Sequence, residues 1–143
     1  MDIFQVMEIG SSALKAQTIR MNVISSNLAN METTQTPEGG PYKKKSVVFT
    51  SSRPDFRQEL EHSLQNDAQG VRVDRIMSDP GQGKKVYDPS HPDAGPDGYV
   101  EKPNINLAEE MTDMMKAKGS YEANVVSIKS AQRMALKALE IGR

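Results

Sequence analysis

In a chain with no cysteine, chemistry must come from histidine, carboxylates, lysine or hydroxyls, and here they are badly spaced for it. The two histidines are His62 and His91. His91 stands near Asp88 and Asp93 in a proline-rich stretch, the nearest approach to a set of metal ligands. A lone histidine in a proline-rich loop is much more often structural or solvated than a metal ligand. Gly81-Gln82-Gly83-Lys84-Lys85 has the composition of a phosphate loop. It lacks the apolar strand, the following helix and the glycine spacing that would aim backbone amides at a phosphate. Lys43-Lys44-Lys45 is a short basic run in a chain with 18 basic and 19 acidic residues and a net charge of −1. Nucleic-acid binders carry a strongly basic patch, whereas a run of three lysines reads as a solvated edge that resists strand pairing. Ser11-Ser12 and Ser25-Ser26 offer hydroxyls without the glycine-flanked elbow that exposes a nucleophile. Glu109 and Glu110 are neighbours in sequence, so on a helix they point to different sides. These patterns predict no enzyme, no cofactor, no metal site and no nucleic-acid partner.

The distribution of proline shows which elements carry these residues. All eight prolines lie between Pro37 and Pro103. Proline removes a helix donor and clashes with the preceding turn, so only the two ends are free to form long helices. The first end reads as a helix over about Ile3–Asn30. Met7, Leu14, Met21 and Leu28 recur every seven residues, with Ile3, Gly10, Gln17 and Ile24 in the companion row. Asn30 is a natural stop, since Asn tolerates the left-handed conformation that ends helices.

The second end has the stronger pattern. Leu107, Met111, Met114, Lys118, Tyr121, Val125, Ile128, Gln132, Ala135 and Leu139 alternate spacings of four and three, the period of a coiled-coil seam. Asn104 or Asn106 can cap its start, and Gly142 stands at the stop position. Met111 and Met114 read as core of this seam, while Met115, off it, is a candidate for contact with another chain.

The middle is richer in turns. Val47-Val48-Phe49, Val71-Arg72-Val73 and Tyr99-Val100 read as short strands, Asp97-Gly98 as a turn, Asp55–Leu64 as a short helix and Asp79–Pro96 as mostly loop. The expected fold is mainly α with a small β part. Long N- and C-terminal helices pair as a coiled coil, and a central β-ribbon and loop segment projects from them. The segments are 1–36 for the first helix, 37–103 for the centre and 104–143 for the second helix. Hydrophobic residues are 36% and aromatics 5%, thin beside ordinary domains, which run nearer ~45–50% apolar with glycine counted. Each helix has a stripe wider than one contact, so apolar surface remains for other copies of the chain. No stretch reaches the ~18 apolar residues of a membrane span. Asp2 and Glu8 stand where a cleavable secretion signal would be basic.

Ser26-Asn27-Leu28-Ala29-Asn30-Met31-Glu32-Thr33, followed by Pro41-Tyr42-Lys43-Lys44-Lys45 and Phe49, resembles the signature of the flagellar axial proteins, the rod and hook family. Further segments match a proximal-rod member in order along nearly the whole chain. They are Gly70-Val71-Arg72-Val73, Val86-Tyr87-Asp88-Pro89-Ser90-His91-Pro92, Asp97-Gly98-Tyr99-Val100, Pro103-Asn104-Ile105-Asn106 and Tyr121-Glu122-Ala123-Asn124. Lys118-Gly119-Ser120 departs from the family, and a glycine inside a helix costs about 1 kcal/mol.

The resemblance implies a structural subunit of the proximal rod of the basal body that polymerises through its terminal helices into a hollow helical shaft. It implies a periplasmic location, reached through the flagellar type III exporter without a cleaved signal peptide. Implied partners are other rod proteins, the membrane-ring base and rod adaptor, and the export gate. Asn27, Ala29, Asn30, Thr33 and Tyr42 would form an elbow between the first helix and the middle. Phe56 and Leu60 fit a short export signal, and equally one face of an amphipathic turn. Met7, Leu14, Met21, Ile24, Leu28, Met111, Met114, Met115, Tyr121, Val125, Ile128 and Leu139 are the expected subunit-interface residues. The alternative is a coiled-coil adaptor or export chaperone of a type III secretion system, which shares the helices but needs no helical polymer.

Overall fold

The structure is a computed structural model that describes residues 3–51 and 69–141. The expected helix over Asp55–Leu64, the candidate export residues Phe56 and Leu60, His62 and the stop glycine Gly142 lie outside the described residues. Helix α1 (Ile3–Ala29) leads into strands β1 (Lys45–Ser51), β2 (Val71–Ser78), β3 (Lys84–Tyr87) and β4 (Tyr99–Lys102), and helix α2 (Leu107–Ile141) follows. The mainly helical class with a small β part is as expected. The middle departs from expectation in two ways. It forms two separate antiparallel ribbons, β1–β2 and β3–β4. In addition, β3 falls in the stretch expected to be mostly loop. Its four residues are all exposed, so they carry no alternating pattern by which to find it.

An isolated two-stranded ribbon is marginal in water, and both ribbons are held by other elements. In the first, Val48 faces Arg75 and Phe49 faces Val73, so a bulge absorbs Asp74. Its base is fixed to α1 by Ser12, whose Oγ accepts from Val71 N at 3.1 Å while donating to Ile9 O at 2.7 Å. The second ribbon buries Val100 against the body and pairs Tyr87 edge-on with Tyr99, with ring centroids 5.2 Å apart. Lys102 Nζ meets Glu32 Oε2 at 2.6 Å, and Thr34 Oγ1 donates to Asp93 Oδ2 at 2.6 Å, tying this ribbon and its loop to the chain leaving α1.

The helix ends follow local chemistry. Asn106 caps α2, its Oδ1 accepting from Ala108 N at 3.0 Å, which satisfies one of the four free donors of a helix start. Asn30 ends α1 by a different device from the one expected. Among the described residues no non-glycine residue has positive φ. Instead, the Asn30 side chain folds back to donate to Ser26 O at 2.8 Å.

The two helices run antiparallel along each other, and their seam is offset from the one drawn by the large apolar residues. In α2 the less exposed row is Glu110, Met114, Ala117, Tyr121, Asn124, Ile128, Ala131 and Ala135. It shares Met114, Tyr121, Ile128 and Ala135 with the expected row. Glu110, Ala117, Asn124 and Ala131 replace Met111, Lys118, Val125 and Gln132. Lys118 and Gln132 are exposed, as are Leu107, Leu139 and Met111, the last expected as core. In α1 the buried residues are Gly10, Ala16, Val23, Ile24 and Asn27, while Met7, Leu14, Met21 and Leu28 lie half-buried on the flank. The reason is size. Small residues let the two backbones approach, and a Cβ built on Gly10 would stand 2.7 Å from Ile128 Cγ1. The large side chains are displaced to the sides. No described helix is long and apolar enough to cross a membrane.

Two glycines with opposite surroundings test this packing. Gly119 has open space where a Cβ would go, so Gly119→Ala raises stability by about 0.5–1 kcal/mol through helix propensity alone. Gly10→Ala gains the same propensity but forces Ile128 aside, and overpacking of ~1–3 kcal/mol leaves a net loss of about 1 kcal/mol. Urea midpoints followed by helical circular dichroism measure both, and equal shifts would contradict the close approach at Gly10.

Candidate assembly interface and its elbow

The end of the helix pair where α1 meets α2 is closed by a buried polar cluster. Asn27, 1% exposed, is its hub. Its Nδ2 donates to Lys45 O at 2.8 Å and to Glu110 Oε2 at 3.1 Å. Its Oδ1 accepts from Lys45 N at 2.9 Å and from the Tyr42 hydroxyl at 3.2 Å. With its only hydrogen so used, Tyr42 accepts from Ser26 Oγ at 3.2 Å. One amide side chain thus pairs both polar groups of a backbone residue, as a strand neighbour would, and reaches across to the second helix. Every polar atom of the Asn27 side chain is satisfied, as burial at this depth requires.

Glu110 is 2% exposed. A buried carboxylate is costly unless paired, and its partner is Lys44, with Nζ 2.8 Å from Oε1. Lys44 also lies 3.8 Å from Glu109. The Lys44 pKa is raised above its ordinary 10.5, chiefly by the Glu110 contact, against the opposing effect of partial burial and with help from the charges of Glu110, Glu109 and Asp113. The central lysine of the run read as a solvated edge is therefore an internal counter-ion, while Lys43 and Lys45 are exposed.

The elbow residues expected from the sequence come together here. Asn27 and Tyr42 are in the cluster. Thr33 N and Oγ1 bond the Asn30 backbone oxygen and Oδ1 at 3.1 and 3.3 Å, and Thr33 O accepts from Tyr42 N at 3.1 Å. Ala29 is exposed and takes no part. Glu110, Lys44 and Ser26 were not foreseen. Glu110 reads in sequence as a first-turn acid favoured by the helix dipole, and the Ala117 and Ala131 that share its row carry no hydrophobic signal strong enough to mark a seam.

The expected interface residues spread over three environments. Ile24 is buried in the helix seam. Met7, Leu14, Met21, Leu28, Met114, Tyr121, Val125 and Ile128 are half-buried along its flanks. Met111, Met115 and Leu139 are exposed. Among the described residues no group of His, Asp and Glu is placed to hold a metal. His91 instead accepts from Asp93 N at 3.1 Å within its own loop.

Two long terminal helices closed by a polar elbow, two small ribbons held at the elbow side, and large apolar residues facing outward define a structural assembly subunit. Comparison with known proteins identifies the kind. Residues 7–35 match the family model described as flagella basal body rod protein, and residues 97–141 match that for the flagellar basal body rod FlgEFG protein C-terminal region. The chain is similar over its full length to flagellar basal-body rod proteins FlgC. It is 41% identical to that of Bacillus subtilis, covering 100% of both chains, and 40% identical to that of Borreliella burgdorferi, covering 99% of this chain and 98% of the relative. To that of Salmonella typhimurium it is 35% identical, covering 100% of both. The chain belongs to the FlgC family of flagellar basal-body rod proteins. Its role is that of a structural rod subunit of the basal body, associated with other basal-body components, and the family is not enzymatic.

Lys44→Met tests the cluster. It strands the Glu110 carboxylate, an error that costs ~3–5 kcal/mol in a fully buried pair. Partial exposure of Lys44 and the remaining Asn27 bond reduce this to about 2 kcal/mol. Because the folded pKa of Lys44 is raised, its contribution is complete below the unfolded pKa and lost as pH rises through the folded one. The gap between parent and variant therefore stays constant from about pH 7 to about 9 and closes above the ordinary lysine pKa of 10.5. A gap unchanged at high pH would contradict the ion pair.

Proposed function

We propose that this chain polymerises as a proximal-rod subunit through the outward-facing sides of its two terminal helices, which form the inner layer of a hollow helical shaft. The segments 1–36 and 104–143 would supply that layer, and 37–103 the outer part. The observation that carries the reading is what the helix pair leaves outside. Its intramolecular seam interleaves small and polar residues with Val23, Ile24, Tyr121 and Ile128, while Met115 and Leu139 are 65% and 72% exposed and Met111, Val126, Met134 and Leu136 also face out. Isolated helices are marginal in water unless an apolar face is packed. One partner helix covers one side, so neighbouring subunits are the natural cover for the other.

Met111, Met115 and Leu139 are the direct contacts in this scheme. Met7, Leu14, Met21, Leu28, Met114, Tyr121, Val125 and Ile128 complete the interface from the flanks, with Ile24 anchoring the seam beneath. The elbow of Asn27, Asn30, Thr33 and Tyr42 sets the angle between inner and outer parts. The partners are other copies, other rod proteins, the membrane-ring base and rod adaptor. The path to the periplasm is the type III export gate without a cleaved signal peptide, with Phe56 and Leu60 as the recognition element. Similarity to rod proteins along the entire chain favours this reading over an adaptor or export chaperone.

Met115→Asp and Leu139→Asp test it with little risk to the fold, since exposed substitutions usually shift stability by within ~0.5 kcal/mol. Helical signal and melting should match the parent. A charge buried without a partner is strongly unfavourable, so neither variant should enter rods, read as loss of basal-body incorporation and of motility. Normal incorporation of both would overturn the placement of the interface.

A further inference from the structure

The second ribbon leaves one edge open. Strand β3 pairs only with β4, and all four of its residues are exposed. Opposite residues of an antiparallel pair alternate between those that bond each other and those whose backbone groups point away. Two bonds fix that alternation here. Asp88 N donates to Gly98 O across the ribbon at 3.0 Å, while Tyr99 O turns away from β3 to accept from Gly95 N at 3.0 Å. Tyr87 stands opposite Tyr99, and Lys85 opposite Glu101. The N–H and C=O of Tyr87 and Lys85 therefore point outward from the ribbon, and no described residue bonds them. Lys84 and Lys85 form no ion pair among the described residues. The acids nearest them along the ribbon are engaged: Glu101 accepts from Gly83 N at 3.1 Å and Asp88 from Ser90 N at 3.2 Å. Beside the lysines, Val86 and Tyr87 are 40% and 65% exposed.

We propose that the free edge of β3 takes up an extended acidic segment of a partner protein as a third strand, antiparallel to β3. A ribbon of two strands is marginal alone, and a third strand consolidates it. Lys85 and Tyr87 each offer one donor and one acceptor, the main-chain bonds by which strand addition gains affinity. Side chains then decide which strand fits. Successive residues alternate between the two faces, so Lys84 shares a face with Val86, and Lys85 with Tyr87. A fitting segment reads apolar, apolar, acidic, acidic from its N-terminal end, opposite Tyr87, Val86, Lys85 and Lys84 in turn. Lysine on an edge guards against indiscriminate pairing. Two unpaired lysines turn that guard into a selection, because they repel a basic strand and attract an acidic one.

The probe is a synthetic peptide, capped at both ends, reading Thr-Val-Val-Glu-Glu-Thr and added to the dilute full chain. Amide exchange followed by nuclear magnetic resonance should slow at Lys85 and Tyr87, whose N–H groups face the peptide. A peptide with lysine in place of both glutamates should bind about tenfold more weakly. A peptide methylated on the backbone nitrogens that face β3 should not bind. The variant carrying both Lys84→Glu and Lys85→Glu changes only exposed side chains and should keep the parent fold. It should reverse the order and prefer the lysine peptide. No slowing at Lys85 and Tyr87 even at high peptide concentration would overturn the site. Equal binding of the acidic and lysine peptides, or an unchanged order in the reversed variant, would overturn the acidic partner. Slow exchange at both amides in the free chain, together with a dimer in sedimentation, would put a second copy on the edge and overturn the proposal as well. The faces of the terminal helices play no part in any of these outcomes.

Discussion

The arrangement depends on one side chain, Asn27. Its amide replaces a missing strand neighbour for the Lys45 backbone and at the same time reaches Glu110 on the other helix. Three parts of the chain meet at that point: the end of α1, the segment entering the first ribbon and the start of α2. In a buried site each bond is electrostatically stronger than in water, and each unmade bond is correspondingly costly. The cluster therefore fixes which faces of the helices meet. Without Lys44 the buried Glu110 carboxylate would lose its counter-ion, so the ion pair is part of what sets the rotation of α2.

That rotation matters because it decides which residues are left for other molecules. A helix pair closed on its largest apolar side chains would bury them and present a polar exterior. Here the pair closes on Gly10, Ala16, Ala117 and Ala131 with Asn27 and Glu110. Met111, Met115, Met134, Leu136 and Leu139 remain outside, and a flexible thioether side chain can adapt to surfaces that differ in shape. The ribbons are held against α1 by Ser12 and to the chain leaving α1 by Thr34 and Glu32.

Much of this was legible in the sequence because it follows from local rules. Absence of proline marked the two helices and β-branched runs marked β1, β2 and β4, while the run from Ser26 to Tyr42 marked the elbow through its resemblance to the axial-protein signature. The seam was read in part: Gly10 and Ile24 in α1 and Met114, Tyr121, Ile128 and Ala135 in α2 lie in it as expected. The other α2 positions were missed by one residue for a definite reason. Hydrophobic periodicity finds the greasiest row, and every second position of the packed row here is small or polar: Glu110, Ala117, Asn124 and Ala131. Lys44 was indistinguishable from its neighbours Lys43 and Lys45 because its role depends on a carboxylate 66 positions away. Strand β3 was missed because an exposed ribbon strand needs no alternation, and its pairing with β4 is set by backbone bonds that no side chain announces.

The central claim is that neighbours cover the outward apolar residues of the terminal helices. Thiol labelling of single-cysteine variants measures that directly, comparing free chain with assembled basal bodies. Cysteine at position 115 or 139 should label quickly in the free chain and slowly once assembled, while cysteine in place of the fully buried Ala117 labels slowly in both. Equal, rapid labelling of 115 and 139 before and after assembly would contradict the account.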